Sequence, residues 1–111
     1  MRVSLILVTA ALSSIALASP VSAQITGVLT GASDIYVWKD ARAQDDGFAL
    51  IKAGTHKTNP NAVIRLMACM VPDGTRAALR NPGLSAHEVL ILDGKAAGCA
   101  GTVPPGLFKR R

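Results

Sequence analysis

Hydrophobic positions between residues 40 and 53 recur at the spacing of an amphipathic helix. The stripe consists of residues three or four positions apart: Ala41, Gln44, Phe48 and Ile51. Asp40 is a favourable N-cap, and Gly54 stands where a helix commonly ends. Gly47 weakens the middle of the segment by about 1 kcal/mol relative to alanine. The pattern predicts one helix, capped at both ends.

Other segments have the apolar patterns of strands. Residues 25–38 are rich in β-branched and aromatic residues, and small residues break them into two short pieces. Residues 62–71, AVIRLMACMV, are apolar on both alternations except for Arg65, which indicates a strand covered on both faces. Residues 55–61 have the composition of a loop, and PDGT at 72–75 that of a turn. Two strands, a helix and four further strand-like pieces predict a mainly β α+β fold with a curled antiparallel sheet.

Glycines punctuate VLILDGKAAGCAGTVP, residues 89–104, at spacings of four and then three. Val89 and Ile91 would share one face of a strand, and Val103 would return to the same core. Gly94 would occupy a turn, while two later glycines, Gly98 and Gly101, would permit a tight bend and a close backbone approach. This spacing resembles the KOW motif, the strand–loop–strand of SH3-like barrels in transcription elongation factors and ribosomal proteins.

A broader resemblance is to small secreted bacterial SH3-like domains, in which the barrel binds peptides, wall glycans or sister domains. VPPGLF at 103–108 is similar to the short helical turn that closes such barrels. The helix at 40–53 is a departure, because a minimal SH3 barrel lacks it. The resemblance therefore implies a small SH3-like antiparallel barrel with one inserted helix. We apply only the barrel fold to this chain, and not the RNA partner of KOW proteins.

The first 23 residues have the pattern of a signal peptide. Arg2 precedes an uncharged apolar run of about 16 residues, whereas a membrane-spanning helix needs roughly 20. Small residues before Gln24 predict cleavage after Ala23, with Ala18 as a second possible site and an uncleaved membrane anchor as the alternative. The mature chain, 24–111, would then be a single SH3-like domain in the periplasm or outside the cell, with no stable membrane span.

The sequence contains two cysteines, Cys69 and Cys99. In an oxidising compartment an even pair in a small domain indicates a disulfide first. Free thiols are the second interpretation. A metal site with His56 and His87 is the third, because no pair of these residues has the spacing of a known metal motif. We therefore expect one disulfide, no metal and no cofactor.

The chain is basic, with a formal net charge of +5 that falls to +4 when Arg2 is removed. An exported protein meets little nucleic acid, so the charge indicates anionic envelope surfaces or acidic partners instead. KRR at 109–111 supplies three of the positive charges, and the others are scattered along the chain.

Tyr36 and Trp38 alternate on one strand and are the only tyrosine and tryptophan. Because the ligand grooves of SH3-like domains are often aromatic, these two residues are the candidate binding surface. The alternative is that both pack beneath the helix. Leu90 and Leu92 would lie opposite Val89 and Ile91, and we expect the helix to cover them, or else a partner.

Residues that catalyse reactions do not form a recognisable pattern. SAHE at 85–88 holds a serine, a histidine and a glutamate, but neighbours in sequence need not converge in space, and no nucleophile elbow frames the serine. The sequence predicts an exported, non-catalytic binding or accessory module whose ligand is a protein, a peptide or a cell-wall glycan. The alternative is a structural or stress-protective envelope protein with a basic surface; an enzyme or an enzyme inhibitor ranks third.

Overall fold

The computed structural model describes residues 24–111, and the predicted signal peptide lies outside these residues. Their elements, in chain order, are β1 (Ile25–Leu29), β2 (Asp34–Trp38), α1 (Ala41–Lys52), α2 (Thr55–Thr58), α3 (Pro60–Ile64), β3 (Met67–Pro72), β4 (Thr75–Asn81), β5 (His87–Ile91), β6 (Ala100–Val103), a 3-10 turn (Pro105–Leu107) and β7 (Phe108–Arg110). The seven strands of this part of the chain form one antiparallel sheet in the order β3-β2-β6-β5-β4-β1-β7. The predicted mainly β α+β fold is confirmed.

Helix α1 begins and ends where its capping residues predict. The Asp40 side chain accepts the backbone N–H of Ala43 at 2.7 Å, and Gly54 follows the helix with a φ of +81°. Its buried face differs from the predicted stripe, because Ala43, Gln44 and Gly47 face the sheet and Phe48 is 43% exposed. The predicted helix is confirmed, and the predicted stripe is only partly right.

The segment between α1 and β3 is helical where the sequence predicts a loop and the start of a strand. Asn59 precedes Pro60, which occupies the first turn of α3, a position that needs no backbone donor. The apolar run at 62–64 fits one helical turn as well as a strand, so β3 begins only at Met67. The prediction that this strand is covered on both faces is wrong, since Met70 is 52% exposed.

Two hydrophobic clusters lie on opposite sides of the sheet. The inner cluster consists of side chains at most 2% exposed: Leu29, Ile35, Val37, Val71, Ala77, Val89, Ile91 and Val103. The outer cluster, beneath the helices, contains Trp38, Ala43 and Val63. Alternation along β2 explains the division, because Ile35 and Val37 face inward and Tyr36 and Trp38 face outward. Each fully buried aliphatic side chain contributes roughly 1.5–3 kcal/mol.

The sheet is curled but is not closed into a barrel, which corrects the predicted SH3-like closure. Strand β3 pairs with β2 alone and β7 pairs with β1 alone, so the two form open edges. The turn at 73–74 joins β3 to β4 without pairing them, and Gly74 adopts a φ of +88° there. Strand β3 pairs with β2, whereas β4 lies between β5 and β1, so the turn connects two separate places in the strand order. The final strand, β7, has three residues, pairs only with β1 and is absent from the predicted order.

The glycine-rich segment forms the predicted strand–loop–strand between β5 and β6. Gly94 and Gly98 have φ values of +79° and +94°, which favour glycine. The N–H of Ile91 donates to the carbonyl of Cys99, and the N–H of Gly98 donates to that of Ile91, both at 2.8 Å. A Cβ on Gly101 would overlap the carbonyl oxygen of Trp38, so this glycine permits the predicted close approach. The predicted helical turn is also present, at residues 105–107.

The disulfide between Cys69 and Cys99 is confirmed. Their Cα atoms are 6.6 Å apart, within the usual range for a disulfide. It connects β3, an edge strand, to the end of the loop before β6. The bond therefore fastens one open edge of the sheet to the glycine-rich loop.

Candidate functional site

The two predicted binding residues lie on the outer face of β2 with different exposure. Trp38 is 1% exposed and packs beneath α1, which is the alternative interpretation of this residue, whereas Tyr36 is half-buried. The two rings meet edge to face, with centroids 5.8 Å apart, and the rings of Phe48 and Trp38 also meet edge to face, at 5.7 Å. Tyr36 is therefore the member of the pair that reaches the surface.

Tyr36 separates two clefts of about 230 Å³ each. The helix cleft lies towards α3 and is lined by Tyr36, His56, Pro60, Val63, Ile64, Met67 and Met70. The aromatic cleft lies towards α1 and is lined by Ala32, Asp34, Ile35, Tyr36, Trp38, Phe48, Ile51, Pro104 and Leu107. Trp38 forms part of the back of the aromatic cleft, so both predicted residues border one depression.

A third and larger cleft, of about 590 Å³, lies between β3 and the glycine-rich loop. This loop cleft is lined by Cys69, Met70, Val71, Pro72, Thr75, Asp93, Gly94, Lys95 and Ala96. Met70 lines both the loop cleft and the helix cleft. The three clefts are thus linked through Met70 and Tyr36, which are paired across β3 and β2, and we call them the cleft row.

The lining of the cleft row is mostly apolar. Three of its side chains are large, hydrophobic and substantially exposed: Phe48 at 43%, Ile64 at 53% and Met70 at 52%. Polar groups are few and spread along the row, with Asp34 in the aromatic cleft, His56 in the helix cleft, and Asp93 and Lys95 in the loop cleft. Such a surface suits a ligand that contributes apolar groups and is oriented by a few polar contacts.

Sequence reasoning finds Tyr36 and misses Met70 and Ile64. The sequence pattern predicts a single strand over residues 62–71, covered on both faces, and no helix in this segment. It therefore places Met70 on a covered face. In the structure, α3 takes up residues 60–64 and leaves the outer side of Met70 open. Asn59-Pro60, which is a helix-start signal, is the feature that would have indicated this.

Residues of the SAHE segment make contacts with neighbouring parts of the chain. The Nδ1 atom of His87 accepts the backbone N–H of Gly83 at 3.2 Å, and the ring contacts Phe108 edge to face. The carbonyl of Ser85 accepts the side-chain amide of Gln44 at 2.9 Å. These contacts hold the chain between β4 and β5 in place, so we assign them a structural role.

Within 24–111, no group of three or more His, Cys, Asp or Glu side chains is arranged to hold a metal ion. Of the helices between Gln24 and Arg111, none has the length and apolar character required to cross a bilayer.

Comparison of the chain with protein-family models, curated proteins and solved structures finds no match. A functional hypothesis therefore depends on the geometry of the chain itself.

Proposed function

We propose that this protein is an exported, non-catalytic binding module that holds an extended peptide segment in the cleft row. The observation that supports this proposal is the continuity of three apolar clefts through Tyr36 and Met70. A row of shallow clefts fits successive side chains of an extended chain better than it fits one compact small molecule. The disulfide is consistent with an oxidising compartment, as export requires.

A peptide suits this surface better than a wall glycan does. A glycan presents many hydroxyl groups that need polar partners, whereas the clefts offer a few scattered ones. Strand β3 pairs on one side only and borders the loop cleft. Its open edge supplies backbone groups to which an extended peptide can hydrogen-bond.

The sequence resemblance of residues 89–108 to SH3-like domains favours the same proposal. The segments that carry this resemblance form the β5–β6 strand–loop–strand and the 3-10 turn after β6, although the sheet is open. The resemblance implies an aromatic ligand groove, for which Tyr36 is the surface candidate and Trp38 lies beside it.

Two exposed residues of the row provide the test. We expect peptides selected from a displayed random library to bind the wild-type protein and to bind Met70→Asp or Ile64→Asp at least tenfold more weakly, a loss of about 1.4 kcal/mol. Leu84→Asp is the matched control, because Leu84 is fully exposed and lines none of the three clefts. Selected peptides that bind all three variants equally, or a failure to select any, would contradict the proposal.

The alternative, an envelope protein held in place by its basic surface, depends on a different part of the sheet. The cleft row is mostly apolar, whereas Arg76 and Lys109 occupy outward positions of β4 and β7, on either side of β1. The two proposals therefore predict different variants that lose binding.

A further inference from the structure

The outer face of β4, β1 and β7 places basic side chains side by side. Val28 pairs with Arg76 on one flank and with Lys109 on the other. Directly opposite residues in an antiparallel sheet project from the same face, so Arg76 and Lys109 lie on one surface with Val28 between them. Thr26 likewise has Ala78 as its partner in β4 and accepts the backbone N–H of Arg111 at 3.0 Å. We call this surface the basic face.

Additional charge surrounds these residues. Arg80 is exposed on β4, at a bulge between Leu79 and Asn81. Two carboxylates belong to the side nearer β5: Glu88, in that strand, and Asp93, whose Oδ1 accepts the backbone N–H of Arg76 at 3.1 Å. The cations therefore predominate towards β1 and β7.

Most of the net charge of the described residues comes from the C-terminal part of the chain, which supplies β4 and β7. Residues 72–111 contain six basic and three acidic residues, whereas residues 24–71 contain five and four. Net positive charge of this kind attracts a protein to an anionic surface.

The basic face also has an apolar component that the helices leave uncovered. Helix α1 packs against β2 and β6, and the cluster beneath it does not include Leu90. The prediction that the helix covers Leu90 and Leu92 is therefore wrong. Both residues are half-buried, as is Val28. Apolar side chains thus lie among the cations.

We propose that the basic face binds the surface of an anionic phospholipid bilayer. Cations would contact the headgroup phosphates, while Val28 and Leu90 would approach the boundary with the acyl chains. A bilayer fits better than a soluble polyanion, because Arg76, Arg80, Lys109 and Arg111 line none of the described clefts and would present a broad face. This proposal can be tested separately from the cleft row, because Arg76 and Lys109 line none of its clefts, although the loop cleft extends to Thr75 and Asp93 beside Arg76.

Vesicle co-sedimentation tests this inference. We expect the protein to sediment with phosphatidylglycerol vesicles at low salt, to remain in solution with phosphatidylcholine vesicles, and to be released as salt screens the charges. Each cation near an anionic surface strengthens binding about fivefold. The variant Arg76→Glu/Lys109→Glu should therefore bind the anionic vesicles at least about 30-fold more weakly.

The control is Lys52→Glu/Lys57→Glu, which makes the same change of net charge with two exposed residues on the helical side. Its binding should fall much less than that of Arg76→Glu/Lys109→Glu, and circular dichroism should show that both variants are folded. Met70→Asp should bind vesicles normally, which separates this test from that of the cleft row. Equal losses in the two charge variants, no binding to phosphatidylglycerol, or binding to soluble polyphosphate but not to vesicles would overturn the proposal.

Discussion

At the scale of single residues, Gly47 illustrates what a sequence does and does not disclose. Helix propensity identifies this glycine as a weak point in α1. In the structure, a Cβ at this position would overlap the six-membered ring of Trp38, which is almost fully buried. The glycine allows the helix to approach β2 closely. No local pattern shows this, because the residue that needs the space belongs to another element.

Gly47→Ala should consequently destabilise the protein even though alanine favours helices. Overpacking costs about 1–3 kcal/mol and the propensity gain offsets about 1 kcal/mol, so we expect a net loss of up to about 2 kcal/mol. Urea denaturation measures this change. In a Trp38→Phe background the same substitution should cost less, since the smaller ring leaves room for the methyl group. If Gly47→Ala costs as much in the Trp38→Phe background as in the wild type, or more, the tryptophan ring is not the cause.

At the scale of elements, local signals predict some boundaries well and leave others ambiguous. Helix α1 is predictable because its N-cap and the following glycine are local features. The β5–β6 hairpin is predictable because its glycines are visible in the sequence. Two of them adopt the positive φ values that favour glycine. Residues 62–64 are not, since three consecutive apolar residues fit either a helical turn or a strand. Tertiary packing of Val63 against Trp38 decides in favour of the helix.

The disulfide stabilises the contact between two of these elements. Cys69 and Cys99 are 30 residues apart, and closing a loop of that length stabilises a fold by about 3–4 kcal/mol in the chain-entropy model. Cys69→Ser/Cys99→Ser should lower the free energy of unfolding by this amount in urea, and dithiothreitol should affect the wild type but not the variant. If both thiols of the oxidised protein react with an alkylating agent, the pairing is refuted.

At the scale of the whole molecule, the alternation of side chains is readable but the closure of the sheet is not. Periodicity predicts two faces for β2, and the structure places Ile35 and Val37 in the inner cluster and Trp38 in the outer one. Whether the two edge strands, β3 and β7, meet depends on which strands pair across the sheet, and this pairing does not follow from a hydrophobic pattern. The cleft row shares this limitation, because its walls come from helices and a loop distant in sequence from Tyr36.

The predicted cleavage of the signal peptide can be tested by measuring the intact mass of the exported protein. Strand β1 begins at Ile25, and its pairing with β4 starts there, opposite Leu79. Cleavage after Ala23 therefore leaves every described strand intact, including β1, which lies between β4 and β7. We expect the exported protein to have the mass of residues 24–111 less two hydrogens for the disulfide. A mass larger by residues 19–23 would show that cleavage occurs after Ala18. A mass that includes the whole segment from Met1 would favour the membrane anchor. In the anchored form the leader, rather than the basic face, would hold the protein at the bilayer, so Arg76→Glu/Lys109→Glu would no longer release it.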